Sequence, residues 1–444
     1  MKFLDKIFRF AGGIAPDGHK GDTSGIPLRR LPRPQTISVS MSQHIGAPSV
    51  PCVKVGDRVR RYQRIGDAAG PISSAVHTPF SGVVKSIAPS STASTRVATA
   101  VTIAVDPDDA DTDASLSPID WRSASHDEIV ARVRDAGIVG AGGAGFPTAV
   151  KLSPPPGRSI DTVIVNGAEC EPYLNGDNRL MIERAADIWT GAQIIRRAVG
   201  ASRIVVGIED NKPEAIKAMA GAIGAGDGEI AVLPHSYPQG SEKHIIHSVT
   251  GRTVQTGHLP ADVGCLVENV WTVVSITRAV VQGVPSVIRT LTIGGDAIAS
   301  PANFAAPIGA MVPDIIAAAG GFGVQPAKAV CGGPMMGIAM PDLQVPITKT
   351  CSGLLFFTAA SVHEFGSGPC IGCGRCIGAC PMGLMPAEIS QAVEANDLAL
   401  AEKLKVMNCF ECGSCAYVCP AHRPLVQHNR RAKAIIGARL RARK

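Results

Sequence analysis

The sequence predicts a multidomain chain of α/β and β units: a β-rich domain, an α/β domain, a second β-rich unit and a cysteine-bearing helical module. Three observations predict it. At 444 residues the chain exceeds the roughly 250–300 residues at which single hydrophobic cores stop growing. Its hydrophobic pattern changes period along its length, from two-residue alternation to buried runs separated by helical spacing, then back to short strands. Eight of its thirteen cysteines fall in two copies of one pattern near the C-terminus.

Residues 1–24 form an N-terminal segment. It opens by mixing Phe3, Leu4, Ile7 and Phe8 with Lys2, Lys6 and Arg9. That apolar run is too short and broken for a secretory signal, and no small-residue cleavage site follows. A short amphipathic helix docked on a membrane or partner, or a frayed surface terminus, both fit.

Residues 25–115 read as short strands cut by turns, among them Ile37-Ser38-Val39, Val53-Lys54-Val55 and Gly82-Val83-Val84. Period-two alternation with Gly and Pro punctuation indicates a small β-sandwich or barrel. Val55-Gly56-Asp57-Arg58-Val59 and Pro79-Phe80-Ser81-Gly82 resemble a lipoyl- or biotinyl-carrier hairpin. No Met-Lys tip is present, so a structural module without a prosthetic group is expected. The Asp-rich residues 106–113 mark a linker.

In residues 120–285 the apolar runs Thr162-Val163-Ile164-Val165 and Ile204-Val205-Val206-Gly207-Ile208 alternate with helical patterns at 182–199 and 213–223. Ile129, Val130, Val133 and Ala136 add a further helical stripe. Buried strands alternating with helices indicate an α/β layer structure. Residues 286–355 return to short strands with Gly294-Gly295, Gly320-Gly321 and Gly332-Gly333-Pro334 as turns. Residues 360–428 hold the cysteine runs, and 429–444 form a basic tail.

The runs are Cys370-x-x-Cys373-x-x-Cys376-x-x-x-Cys380-Pro381 and Cys409-x-x-Cys412-x-x-Cys415-x-x-x-Cys419-Pro420. This spacing wraps [4Fe–4S] cubes: three thiolates of one loop hold three iron corners, and the fourth cysteine ligates the other run's cluster. One cluster is therefore expected on Cys370, Cys373, Cys376 and Cys419, the other on Cys409, Cys412, Cys415 and Cys380. Zinc would ask for two CxxC pairs or a His-bearing set. The runs start 39 positions apart, with helical spacing between them (Ile389, Ala392, Val393, then Leu400, Ala401, Leu404). That favours a helical dicluster ferredoxin module over a compact βαβ one. Cys52, Cys170, Cys265, Cys331 and Cys351 form no ligand spacing and read as small buried hydrophobes.

Gly140-Ala141-Gly142-Gly143-Ala144-Gly145 satisfies G-x-G-x-x-G in letters, but a helix precedes it and Phe146-Pro147 follows, so the dinucleotide context is missing. Four glycines in six positions (Gly140, Gly142, Gly143, Gly145) still let backbone amides approach a phosphate or an isoalloxazine closely. Lys151 follows to supply positive charge. After the next strand come Asn166, Glu169 and Glu171, where open α/β sheets bind ligands. The two acids suit ribose hydroxyls or a nicotinamide; a turn with solvated acids is the alternative.

Thiolate cluster ligands imply a reducing compartment. A net charge of +6 is too small to indicate nucleic-acid binding. No stretch approaches the ~20 apolar residues that span a bilayer. The tail's Arg430, Arg431, Lys433, Arg439, Arg441, Arg443 and Lys444 suit anionic lipid or a solvated helix end.

The phrases at residues 140–151 and 166–172 resemble the flavin- and NADH-binding subunit of respiratory complex I. The order of parts resembles more closely the C-subunit family of the Rnf (Rsx-type) ion-translocating electron-transport complexes. So do Arg29-Arg30-Leu31-Pro32, Ser42-Gln43-His44-Ile45-Gly46-Ala47-Pro48, Leu259-Pro260-Ala261-Asp262-Val263-Gly264 and Gly332-Gly333-Pro334-Met335-Met336-Gly337. The resemblance spans residues 12–427. It implies a barrel-sandwich hybrid, a complex-I-like FMN-binding α/β domain, a β-grasp (SLBB-like) domain and the dicluster module. It implies noncovalent FMN in a pocket using Gly140, Gly142, Lys151, Asn166 and Asn269. NADH would stack over the flavin near Phe146, with Glu169, Glu171 and Glu242 contributing. Complex I carries an acid where this chain has Ala168, so its contacts do not transfer wholesale.

The implied role is the NAD(H)-facing peripheral subunit of a ferredoxin:NAD oxidoreductase on the cytoplasmic face of the bacterial inner membrane. Partner subunits, membrane and iron–sulfur alike, would couple electron flow to Na+ or H+ translocation, with ferredoxin or flavodoxin engaged through the complex. NADH yields two electrons and clusters accept one at a time, so a flavin between them resolves the mismatch; no protein acid or base is required. The rivals are a soluble flavin and iron–sulfur cobalamin reductase, disfavoured by the N-terminal barrel, and a flavin-free electron wire, disfavoured by the glycine loop with Lys151.

Overall fold

The computed structural model describes residues 2–93, 95, 97–107 and 113–442. Most of the expected linker at 106–113, and the last two basic residues, lie outside the described residues.

The first β domain stacks two antiparallel sheets. Thr36–Ser40, Val97–Val105, Gly82–Ser91 and Arg58–Val59 form one; Val50–Pro51, Arg64–Asp67 and Val76–His77 form the other. Alternation puts Ile37, Val39, Ile65, Val76, Val84, Val101 and Ile103 between them, all essentially inaccessible to water. Cys52 on its rim is exposed, correcting its reading as a buried hydrophobe.

The α/β domain carries a five-stranded, wholly parallel sheet in the order Lys2–Phe3, Glu229–Leu233, Arg203–Glu209, Thr162–Gly167, Cys265–Asn269. Helices cover both faces, which is why the strands are continuous apolar runs. Helix His126–Asp135 starts at a capping box between Ser125 and Glu128 and buries Ile129, Val130 and Val133. Helix Pro213–Ile223 has the bounds its periodicity predicts. The pattern read as one helix at 182–199 divides at Arg184 into Gly176–Glu183 and Ala185–Val199. From Thr162–Gly167 the strands build outward to Glu229–Leu233, and the chain then returns to add Cys265–Asn269 on the opposite side. The carboxyl ends of these two neighbours therefore form a topological switch point.

The N-terminal segment is neither a membrane-docking helix nor frayed. Lys2 and Phe3 pair with Glu229 and Ile230, and Leu4 and Ile7 pack on the sheet's core. Further on, the Gly13 amide donates to the Ala379 carbonyl of the cysteine-rich module.

The second β unit is a six-stranded mixed sheet: Ile338–Ala339, Lys328–Cys331, Gly353–Phe357, Ile288–Gly294, Ala302–Pro307 and Leu28–Arg30. Its last strand comes from the segment assigned to the first β domain, so the boundary at residue 25 is corrected: Leu28–Arg30 runs parallel to Asn303–Ala305. The C-terminal module is helical, with Pro386–Glu394 packed on Leu425–Ala442 around Ile389, Val393, Ala432 and Ile436. The expected tail from 429 is thus mostly a packed helix, with Asn429, Ala432 and Ile436 buried. Among the described residues, no helix is long and apolar enough to cross a membrane.

Candidate flavin and cluster sites

The glycine loop lies beside the switch point and is pinned at its base. The Gly140 amide donates to the Phe146 carbonyl at 2.8 Å, and the Ala141 amide donates to Thr272 Oγ1 at 3.0 Å. Arg289 Nη2 donates to the Ala141 carbonyl at 3.0 Å from the neighbouring β unit. Residues 142–144 are exposed, and Phe146 is half-buried. The glycines differ in what demands them. A Cβ on Gly142 would sit 3.1 Å from the Asn269 Cβ, and Gly145 has φ +73° with Thr350 Cγ2 2.8 Å from its would-be Cβ. Among the described residues, no atom lies within 4 Å of that position at Gly143, so none of them requires it to be glycine. Its open face is the space a ligand would fill.

Asn166 and Asn269 are register partners at the ends of adjacent strands. Asn166 Nδ2 donates to the Gly240 carbonyl at 2.8 Å; Asn269 Oδ1 caps helix Val270–Val281, and its Nδ2 donates to Asp177 Oδ2 at 2.6 Å. Lys151 is not a free cation. Its ammonium meets Glu242 at 3.0 Å, Glu268 at 3.5 Å and the Val267 carbonyl. Burial alone would lower its pKa, but Glu268 and Glu242 together reverse this and raise it. The charge expected for a phosphate is thus already matched by two carboxylates.

Glu169 and Glu171 are half-buried, and both accept hydrogen bonds from backbone amides of the protein. Glu169 accepts from the amides of Asp177 (2.8 Å) and Asn178 (3.1 Å), at the start of helix Gly176–Glu183. Glu171 accepts from the amides of Met335 (3.0 Å) and Met336 (2.8 Å), across the domain boundary. Burial lifts Glu171 to about 7 against the pull of those amides.

Sequence reasoning missed Asp177, Thr272, Arg289 and Glu268. Burial, then Glu169, raises Asp177 to about 6. Arg289 is buried, and among the described residues its Nη1 and Thr148 Oγ1 have no hydrogen-bond partner, while Glu268 Oε1 meets only the Lys151 ammonium at 3.5 Å. The signal for Arg289 was available: a cation in the middle of the apolar run Val287-Ile288-Arg289-Thr290-Leu291. Unmatched buried polar atoms close to an exposed, glycine-rich loop fit a polar cofactor such as FMN.

The cysteines gather in two cavities. Cys380, Cys409, Cys412 and Cys415 line one; Cys370, Cys373, Cys376 and Cys419 line the other. Each set takes three thiols from one run and the fourth from the other. Burial and the crowding of Cys409, Cys412 and Cys380 push Cys415 up to about 12. A cationic iron core relieves such crowding, so the donor set fits a cluster. Asn429 Nδ2 lies 3.3 Å from the Cys409 sulfur, a hydrogen bond of the kind that tunes cluster potential.

Segment 237–244 joins the two kinds of site. The Tyr237 hydroxyl donates to the Cys412 carbonyl at 2.6 Å, and His244 Nε2 lies 3.1 Å from the Pro381 carbonyl. A carbonyl only accepts, so His244 carries a proton on Nε2 there, and burial lowers the ring's pKa against the pull of that bond.

Comparison with known proteins agrees with this layout. Residues 8–108 match the RnfC barrel sandwich hybrid domain, 133–278 the Nuo51 FMN-binding domain, 290–339 the SLBB domain and 365–420 the 4Fe-4S dicluster domain. The cofactor complement is accordingly FMN and two [4Fe–4S] clusters. The chain is 42% identical to the C subunit of the proton-translocating ferredoxin:NAD(+) oxidoreductase complex of Clostridium ljungdahlii, covering 86% of this chain and 83% of that protein. It is 42% identical to the C subunit of the ion-translocating oxidoreductase complex of Rhodobacter capsulatus (97% and 84%). With the C subunit of the Na(+)-translocating ferredoxin:NAD(+) oxidoreductase complex of Acetobacterium woodii it shares 41% identity (97% and 98%). A crystal structure of an NAD+-reducing [NiFe]-hydrogenase superposes with a TM-score of 0.52 at 20% identity, over 69% of this chain and 63% of that one, a likeness of fold. The chain belongs to the family of C subunits of ion-translocating, Rnf-type oxidoreductase complexes.

Proposed function

We propose that this chain is the NAD(H)-facing subunit of a ferredoxin:NAD oxidoreductase complex, exchanging electrons between NAD(H), FMN and two [4Fe–4S] clusters. Bound FMN supplies the conversion between hydride and single-electron transfer. The chain's own residues hold and align. Gly142 and Gly143 admit the cofactor to the backbone, with Asn166, Asn269, Phe146 and the Lys151–Glu242 pair around it.

One observation carries the reading: residues 237–244 touch both sites. Gly240 accepts from Asn166 and Glu242 pairs with Lys151 on the flavin side, while Tyr237 and His244 bond the cluster loops. The cavity of Cys380, Cys409, Cys412 and Cys415 is therefore the flavin-side cluster site. The other cavity includes exposed Cys373 and is bordered by Ile371 and Ile377, both exposed, where a one-electron partner protein would meet it. Membrane partner subunits would couple this flow to ion movement, with the chain peripheral on the cytoplasmic face and ferredoxin or flavodoxin engaged elsewhere in the complex.

The test is anaerobic purification followed by flavin extraction and NADH-dependent dye reduction, with co-sedimentation against the membrane subunits. Releasable FMN, NADH oxidation and salt-sensitive membrane association are expected. Clusters without FMN or NADH oxidation would leave an electron wire; cob(II)alamin reduction without membrane partners would indicate a cobalamin reductase.

A further inference from the structure

The N-terminal strap that sequence reasoning left as a terminus reaches the flavin site through one side chain. Lys20 donates to the carbonyls of Glu169 (2.9 Å), Glu171 (3.0 Å) and Leu174. Three N–H donors meet three acceptors, all from the loop that follows strand Thr162–Gly167. The strap is fastened around this point. The Tyr173 amide donates to the Gly18 carbonyl at 2.7 Å, and His19 stacks on Tyr173 with centroids 4.8 Å apart. Asn175 Nδ2 donates to the Lys20 carbonyl and to Thr23 Oγ1.

What that loop holds is the flavin-side apparatus. The Glu169 carboxylate fixes the start of helix Gly176–Glu183, Asp177 of that helix accepts from Asn269 Nδ2, and Asn269 packs against Gly142. We infer that Lys20 is a positioning residue for the FMN pocket, its ammonium acting as a built-in cation that sets the 169–174 loop and, through Asp177 and Asn269, the glycine loop. This rests on the reading of residues 140–145 as the flavin site.

The inference has a consequence in pH. An ammonium serves three carbonyls, whereas a neutral amine has only two N–H groups, so deprotonation frees one loop carbonyl. Burial and the nearby Lys212 lower Lys20 to about 8, against the pull of Glu169, Glu209 and Cys170. Of the groups facing it, burial raises Cys170 to about 12, the partners of Lys212 raise it, and burial raises Glu171 to about 7. Lys20 thus passes its midpoint inside the range from about pH 7.5 to about pH 9.5, about a unit above Glu171.

The test is FMN affinity of the reconstituted full chain, by flavin fluorescence quenching, from about pH 7.5 to about pH 9.5. Cluster content and thermal unfolding serve as controls. The unmodified chain should lose about tenfold in affinity across that range, and Lys20→Met should bind about tenfold more weakly at pH 7.5 with a flat profile. Should Lys20→Met fail to fold, the profile of the unmodified chain still decides. A profile flat to pH 9.5 overturns the inference, as does Lys20→Met binding FMN as tightly as the unmodified chain. An unmodified chain that binds no FMN at any pH would overturn the flavin reading as well, which separates the two failures.

Discussion

The Tyr237 hydroxyl of the α/β domain donates to the Cys412 carbonyl of the cluster module at 2.6 Å, with the phenol itself buried. This places a loop of the Cys380, Cys409, Cys412 and Cys415 set against the segment that also carries Gly240 and Glu242. Tyr237→Phe keeps the ring and removes the bond, which costs about 0.5–1.5 kcal/mol. Flavin reduction by NADH should be unchanged, while cluster reduction slows by roughly three- to tenfold as the loop loosens. Stopped-flow traces read at flavin and cluster wavelengths check this.

The crossed ligand sets make a prediction that ordinary sequence proximity would reverse. Cys380→Ala should remove the same cluster as Cys412→Ala, and Cys419→Ala the same cluster as Cys373→Ala. Electron paramagnetic resonance of the reduced variants, with iron counts about halved in each, reads out which signal is lost.

Gly143 and Gly145 separate ligand from fold. Gly145→Ala meets both a positive φ and the Thr350 methyl, and should cost about 1–3 kcal/mol of stability. The Cβ of Gly143→Ala meets no atom of the described residues within 4 Å and should change stability by no more than about 0.5 kcal/mol, yet weaken FMN binding at least tenfold. Denaturant unfolding of the apo-flavin chain and FMN titration distinguish the two effects.

Glu171 predicts a slope in stability with pH. Its carboxyl lies near 7 in the fold against an ordinary 4.5. Between those values the folded chain holds a proton that the unfolded chain has released. The stabilisation is therefore full below about pH 4.5 and lost as pH rises through 7. Glu171→Gln should be less stable at the acid end, through loss of one acceptor for the Met335 and Met336 amides, and should lack this slope. Unfolding free energies of both proteins from about pH 5.5 to 7.5 test the difference.

Legibility followed how local each feature is. The cysteine runs could be read outright, because cluster ligation is a matter of spacing, and the structure gathers them in the two crossed sets. Pro213–Ile223 was legible for the same reason: a proline start and a 3.6-residue stripe are local. Lys2–Phe3 and Leu28–Arg30 were not, since two or three residues carry no period and their partners lie some 230 to 275 positions away. Lys151 was named, but its neutralisation depends on Glu268, which reaches it only through the pairing of strands distant in sequence. Glu169 and Glu171 were read as ligand-facing because acids at strand ends commonly are. Their protein partners, the start of a helix and the amides of Met335 and Met336, could not be read, since Met335 and Met336 lie some 165 positions away.

The most direct measurement is electron exchange within the isolated, reconstituted chain. With both clusters loaded and FMN bound, the clusters are reduced under anaerobic conditions, excess reductant is removed and NAD+ is added. NADH should form as the cluster signals bleach, and FMN depletion alone should stop it. Fully loaded clusters that stay reduced beside bound FMN and NAD+, with no NADH formed, would contradict the account.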